Sequence, residues 1–270
     1  MTARTTRFPL FVPATSPALI PKALASAADT VIVDLEDAVA LDRKDEARDA
    51  LAAFLQAHPD ARVQVRINTP DSGELDADLA LCERLPGIAS IMAPKAESRG
   101  SLERIASLGK PVLPLLETPA GLLALAELTR VAGVERYGFG ALDFAFEAGL
   151  TPDSDGGRAV LDHARYELLM HSHAAGLSPP LESVFPDFRN TERLYAIARR
   201  ASDMGFGGML CIHPAQIETV RKAFLPSDDE FDWAQRVMDA SRRNEAAFQI
   251  DGQMVDAPVL ARARRILALS

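Results

Sequence analysis

Charged side chains recur along this chain, each just after a short apolar run. Asp34, Glu36 and Asp37 follow one run and Arg66 ends the next. Lys95, Glu117, Asp143, Glu182 and His213 continue the series. If the runs are parallel strands, these groups gather at one end of a sheet or barrel. Carboxylates that converge without neutralisation repel one another, and one of them must hold a proton. A divalent cation resolves that conflict. The donors are oxygens with no Cys/His cluster, so the chemistry implied is that of a hard ion, Mg²⁺ ahead of Mn²⁺ and not zinc. Magnesium takes one or two carboxylates and leaves its other positions to water or substrate. Glu117 and Asp143 are the expected ligands. Arg66 offers a planar guanidinium for a substrate carboxylate or a developing oxyanion.

Each residue has a plainer reading. Asp34, Glu36 and Asp37 could cap the helix that follows them, and Arg66 could be half of a buried ion pair. Lys95 could be a Schiff-base nucleophile, or simply pair with Glu97 or Glu117. His171 and His173 are two apart in a helical stretch, so they point to different faces and do not have metal-ligand spacing. His213, before Pro214, reads as a structural hydrogen-bonder. No Ser/His/Asp arrangement or G-x-S-x-G elbow is visible.

The elements that would carry these groups alternate. Candidate strands are Phe8–Val12, Thr30–Leu35, Arg62–Asn68, Ile88–Ala93, Pro111–Glu117, Val134–Gly140, Leu181–Phe185 and Gly208–His213. Most are continuously apolar, the pattern of parallel strands covered on both faces. Between them lie helical patterns at Asp42–Gln56, Leu75–Leu85, Ser101–Ser107, Ala120–Val131, Arg158–Ala174 and Arg189–Met204. A further helix is expected after Ser16 as N-cap, with Pro17 at its first position. Eight β-then-α units predict a (β/α)8 barrel over residues 1–225, with a doubly wound sheet as the alternative. No G-x-G-x-x-G follows the first strand, which argues against a dinucleotide site. Residues 226–270 then form a C-terminal helical extension, a lid or oligomer arm and not an independent domain. Its expected helices are Asp228–Gln249 and Val259–Ala268, after one at Ala215–Phe224.

Composition limits the partners. With 29 Lys and Arg against 38 Asp and Glu, the net charge is −9, so nucleic-acid binding is not expected. The 48% hydrophobic content supports a sizeable core. Cys82 and Cys211 read as free thiols of a cytoplasmic protein. No apolar run of about 18 residues predicts a membrane span, and the Pro-interrupted start does not read as a secretory signal.

Several strings come in a familiar order: Leu10-Phe11-Val12-Pro13, Val33-Asp34-Leu35-Glu36-Asp37-Ala38-Val39, Val65-Arg66-Ile67-Asn68, Pro94-Lys95-Ala96-Glu97-Ser98, Leu116-Glu117-Thr118, Gly140-Ala141-Leu142-Asp143 and Cys211-Ile212-His213-Pro214-Ala215-Gln216. With the terminal Gly252-Gln253-Met254-Val255-Asp256-Ala257-Pro258, they resemble the citrate lyase beta subunit-like family of the HpcH/HpaI aldolase superfamily across essentially the whole chain. The resemblance implies a (β/α)8 barrel and Mg²⁺-dependent cleavage or formation of a carbon–carbon bond beside a thioester. It implies Glu117 and Asp143 as metal ligands, Arg66 as a substrate contact, and Glu36 and Asp37 near metal-bound waters. Asp256 matches an aspartate that, in coenzyme-A-using relatives, reaches a neighbouring subunit's site for proton transfer. Lys22 matches a basic position that can meet coenzyme A phosphates. Trimers or hexamers are implied as well.

The chain departs from the pattern in places. Ala14-Thr15-Ser16 stands where a glycine and an arginine are common, Met209 where a lysine is common, and Leu142 where an acid is common. Glu182 replaces a usual aspartate. The substrate class implied is a 3-hydroxy-3-carboxyacyl thioester such as citramalyl-CoA, malyl-CoA or a citryl thioester, cut to an acetyl thioester and a 2-oxo acid. The alternative is a non-catalytic or carrier-protein-dependent subunit of a larger lyase complex.

Overall fold

The structure is a computed structural model that describes residues 6–242 and 248–268. Eight parallel strands follow one another in a single sheet in chain order. They are β1 Leu10–Pro13, β2 Val31–Asp34, β3 Val63–Arg66, β4 Ile88–Ala93, β5 Val112–Leu116, β6 Gly138–Phe139, β7 Leu181–Glu182 and β8 Gly208–Met209. The sheet returns on itself. Leu10 bridges Cys211 in parallel. Phe11 N–H donates to the Cys211 carbonyl at 2.8 Å, and Cys211 N–H donates to that of Pro9 at 2.9 Å. Closure pairs the last strand with the first and removes the open edges of a flat sheet. The barrel is the expected (β/α)8 fold.

The helices are α1 Ile20–Leu24, α2 Lys44–Ala57, α3 Leu75–Arg84, α4 Arg99–Ala106, α5 Pro119–Leu128, α6 Ala141–Glu147, α7 Asp155–Ala174, α8 Thr191–Met204, α9 Pro214–Ala223, α10 Asp228–Ser241 and α11 Ala257–Leu267. Ile32, Met92, Leu113, Leu115, Leu181 and Leu210 fill the barrel interior, with Phe11 and Val184 packed against them. That plug is a packed core rather than a channel, so chemistry is confined to the mouth. The closing seam also sets a backbone requirement: a Cβ on Gly208 would lie 1.8 Å from the Arg7 carbonyl oxygen.

Several local expectations are corrected. Ser16 makes no side-chain cap, and Pro17–Leu19 form a 3-10 turn ahead of the short α1. β6 to β8 are only two residues long each, shorter than the runs expected, and β6 meets β7 at one position, Gly138 beside Leu181. The loop after β6 coils into α6, which its short length hid from periodicity. The helix expected through Gln249 stops at Ser241, and residues 243–247 lie outside the described ones. Phe248–Ile250 (β9) and Gln253–Val255 (β10) instead form an antiparallel hairpin. Its turn, Asp251-Gly252, has φ of +51° and +79°, the Asp-Gly signature of a tight hairpin.

The chain divides into two compact units, Met1–Val220 and Arg221–Ser270, a few residues before the expected boundary. In the second unit α10, α11 and the hairpin enclose Ala234, Val237, Val255, Ala263 and Ile266. Ser227 and Glu230 close a capping box at the start of α10.

Candidate active site

Asp34 and Arg66 end adjacent strands and are direct partners in the β2–β3 register. Their side chains therefore leave the sheet on the same face. Arg66 Nε donates to Asp34 Oδ1 at 2.7 Å and Nη2 to Oδ2 at 2.6 Å. Asp34 also accepts the N–H groups of Glu36 and Ala38, so both carboxylate oxygens carry two donors. Arg66 Nη1 lies 3.0 Å from Glu36 Oε2 and 3.2 Å from Asp37 Oδ2. The guanidinium carbon sits 5.0 Å from the Phe11 ring centroid. Burial opposes the charge on Arg66, but the bonds and charge of Asp34, with Glu36 and Asp37, hold its pKa above the ordinary value. Both plainer readings are thus partly realised. Asp34 organises the turn into the next segment, and Arg66 belongs to a buried ion-pair network. The side-on edge of its fork, expected to be open to substrate, is closed by Asp34.

Glu36 is a different kind of acid. Its Oε2 makes an ion-pair contact with Arg66 without hydrogen-bond geometry, and it is buried without a hydrogen-bond partner. Burial pushes its pKa up to about 8, against the pull of Arg66. Asp37 is exposed.

Glu117 follows β5 and is 3% exposed. Its Oε1 accepts the Lys95 N–H at 2.7 Å. Lys95 holds a left-handed backbone, with φ of +42°, unusual for a side chain with a Cβ. At the end of the neighbouring strand, Gly140 leaves room for the carboxylate: a Cβ there would lie 2.4 Å from Glu117 Cβ and 2.6 Å from Oε2. Burial raises the Glu117 pKa to about 7. The Lys95 N–H works against that rise, and the charge of Asp143 adds to it. Asp143 sits in the first turn of α6, and the Ala141 N–H at that helix start donates to Ser183 Oγ at 3.0 Å.

Among the described residues no cluster of three or more His, Cys, Asp and Glu side chains could hold a metal. The two carboxylates expected from the sequence, Glu117 and Asp143, are close enough for the charge of Asp143 to add to the rise that burial causes in the Glu117 pKa. Two carboxylates of this kind would suit a hard divalent ion, which keeps several positions for water or substrate. A dicationic neighbour would also relieve the repulsion that raises Glu117.

Lys95 does not make the expected side-chain pairs. Its ammonium lies 3.7 Å from Glu147 on α6, and only its backbone reaches Glu117. Burial opposes its charge, but Glu147, Glu36, Asp143 and Glu117 outweigh that and raise its pKa. A Schiff-base lysine needs the opposite shift. Lys95 and Glu147 also line a cavity of ≈ 350 Å³ with Thr69, Asp71, Ser98 and Ser101.

The other candidates have partners or settings of their own. Lys22 is exposed on α1. Asp256 belongs to the second unit, where its Oδ1 caps α11 by accepting the Val259 N–H at 3.3 Å. Glu182 is taken up by Arg165, which donates to both its oxygens at 2.8 and 3.0 Å. His213 stacks on Phe188 and accepts the Ala215 N–H through Nδ1, a structural role as expected. Nothing in the sequence assigns Gly140 or Ser183 a role, and Asp34 reads there only as a cap or a solvent-facing acid. Asp34 ends β2 itself, which is what brings it beside Arg66.

A (β/α)8 barrel with carboxylates and one clamped arginine at its carboxyl mouth defines a class of enzyme scaffold suited to metal-assisted chemistry on oxyanions. The chain belongs to the HpcH/HpaI aldolase/citrate lyase family, whose model matches residues 7–214. It is 40% identical over 263 residues to a citrate lyase subunit beta-like protein of Mycobacterium tuberculosis, covering 96% of this chain and 93% of the relative. It is 31% identical to the mitochondrial citramalyl-CoA lyase of Rattus norvegicus, covering 97% and 85%. A crystal structure of CitE from Mycobacterium tuberculosis in complex with magnesium, acetoacetate and coenzyme A superposes with a TM-score of 0.87 at 36% identity. That match covers 98% of this chain and 97% of the neighbour.

Proposed function

We propose that this protein is a Mg²⁺-dependent carbon–carbon lyase acting on a 3-hydroxy-3-carboxyacyl thioester. Citramalyl-CoA, malyl-CoA and a citryl thioester are the candidate substrates. The observation that carries the reading is the buried Glu117 carboxylate, within electrostatic reach of both Asp143 and the Arg66 guanidinium. The CitE complex with magnesium and coenzyme A and the kinship to a citramalyl-CoA lyase support it. Bound between Glu117 and Asp143, the ion would supply Lewis-acid polarisation of the substrate's hydroxyl and carboxylate oxygens.

The protein's own groups account for the rest. The bond between the hydroxyl-bearing carbon and the thioester α-carbon breaks. The hydroxyl passes its proton to a water held by Glu36 and Asp37 and becomes the carbonyl of a 2-oxo acid, while the bonding pair passes into a thioester enolate. Arg66, through Nη1, faces the oxygen where charge develops, a contribution of about 3–4 kcal/mol by analogy with oxyanion-hole donors. Glu36 and Asp37 border that space and would hold waters around the ion. Asp256, from a neighbouring copy in a trimer or hexamer, would deliver the proton that converts the enolate carbon to a methyl group. Lys22 would meet the carrier's phosphates and Lys95 would line the substrate space. The compartment proposed is the cytoplasm; among the described residues no helix is long and apolar enough to cross a membrane.

The test is turnover of the three thioesters by the purified chain. Release of pyruvate, glyoxylate or oxaloacetate that stops with EDTA and returns with Mg²⁺ is expected, and undiminished turnover without metal contradicts it. The replacement of basic residues at Ala14-Thr15-Ser16 and Met209 favours one second reading, an acyl carrier protein in place of coenzyme A. Activity restricted to carrier-bound thioesters would select it.

A further inference from the structure

We propose that Asp34 is the positioning residue of the site: it clamps one edge of Arg66 so that the guanidinium meets the reacting oxygen with Nη1 and the outer Nη2 hydrogen only. The inference rests on the lyase reading and adds a residue to it. The register makes Asp34 and Arg66 neighbours on β2 and β3. The pair is bidentate, at 2.7 and 2.6 Å, the strongest common geometry for a guanidinium. Both partners are largely withdrawn from water. Oδ1 also takes the Glu36 N–H at 2.9 Å and Oδ2 the Ala38 N–H at 3.1 Å.

Those four donors leave Asp34 no capacity for a metal, a water or a substrate oxygen. Its chemistry is spent on geometry. The same two N–H bonds set the backbone that presents Glu36 and Asp37, so one carboxylate aligns both Arg66 and the acids that face it. Phe11 on β1 covers a guanidinium face, and three consecutive strands therefore fix its plane. A flexible arginine would have to be oriented during each turnover; this one is oriented beforehand.

The experiment is a double-mutant cycle of Asp34→Asn, Arg66→Gln and the pair, read by kcat and KM on the thioester the wild type turns over. Misplacement of the guanidinium predicts a fall in kcat of about 10²-fold for Asp34→Asn with KM little changed. In the Arg66→Gln background the same substitution should cost almost nothing further, because the group it acts through is gone. An undiminished second loss in that background overturns the proposal, as does wild-type kcat in Asp34→Asn.

An activity-free readout accompanies the cycle: the Arg66 Nε–H signal in a ¹H–¹⁵N spectrum, assigned by its loss in Arg66→Gln. Slow exchange with water in the wild type supports the clamp, and exchange as fast as that of an exposed arginine overturns it, even if Asp34→Asn fails to fold. A wild type without thioester turnover overturns the lyase reading, and the Nε–H signal still decides the clamp.

Discussion

Glu117 is nearly buried, and among the described residues its one hydrogen-bond donor is the Lys95 N–H, on Oε1. An isolated carboxylate there is costly when ionised, which is why its pKa reaches about 7. A metal requires the ionised form, so binding must expel the proton. Magnesium affinity measured by calorimetry should therefore rise about tenfold from pH 6 to pH 8, with proton release larger at pH 6. Glu117→Gln should abolish that binding while leaving the fold intact, since an amide can still accept the Lys95 N–H. Affinity independent of pH would mean that Glu117 is not a ligand. Glu36 belongs to the same chemistry, with a pKa of about 8 and an Oε2 that lacks a hydrogen-bond donor.

At the scale of elements, the site depends on how closely the loops after β4, β5 and β6 approach. Gly140 is the narrowest point. Gly140→Ala should push Glu117 off its position, cutting kcat by about 10²-fold and weakening magnesium, with the circular dichroism spectrum retained. A variant with wild-type activity would show that the carboxylate need not sit where it does. The sequence revealed the strands well because parallel strands covered on both faces are near-continuously apolar, as in Val112–Leu116, buried throughout and lying within the expected Pro111–Glu117. It revealed the charged mouth for the same reason, since polarity begins where the strands stop. What it hid were contacts set by tertiary approach. The clearance at Gly140, the Ser183 hydroxyl under α6 and the bidentate hold of Asp34 on Arg66 join segments far apart in the chain. The hairpin at β9 and β10 was hidden differently: its Asp-Gly turn was present, but a helical reading of the preceding stretch ran over it.

The molecule as a whole holds two buried acids, Glu36 and Glu117, that ionise in the folded chain at about 8 and about 7 against an ordinary 4.5. Between those values the folded state keeps protons that the unfolded state has released. Stability must therefore fall as pH rises from about 4.5 towards 8. In EDTA the melting temperature should decline over that window, and added Mg²⁺ should restore most at pH 8. A flat or rising profile would contradict these assignments.

The central claim is that Glu117 and Asp143 share one magnesium beside Arg66. Anomalous diffraction from crystals soaked in Mn²⁺ tests it most directly. A single strong peak is expected between those two carboxylates, within coordination distance of an oxygen from each. A peak elsewhere, or none at a Mn²⁺ concentration that supports turnover, would contradict it.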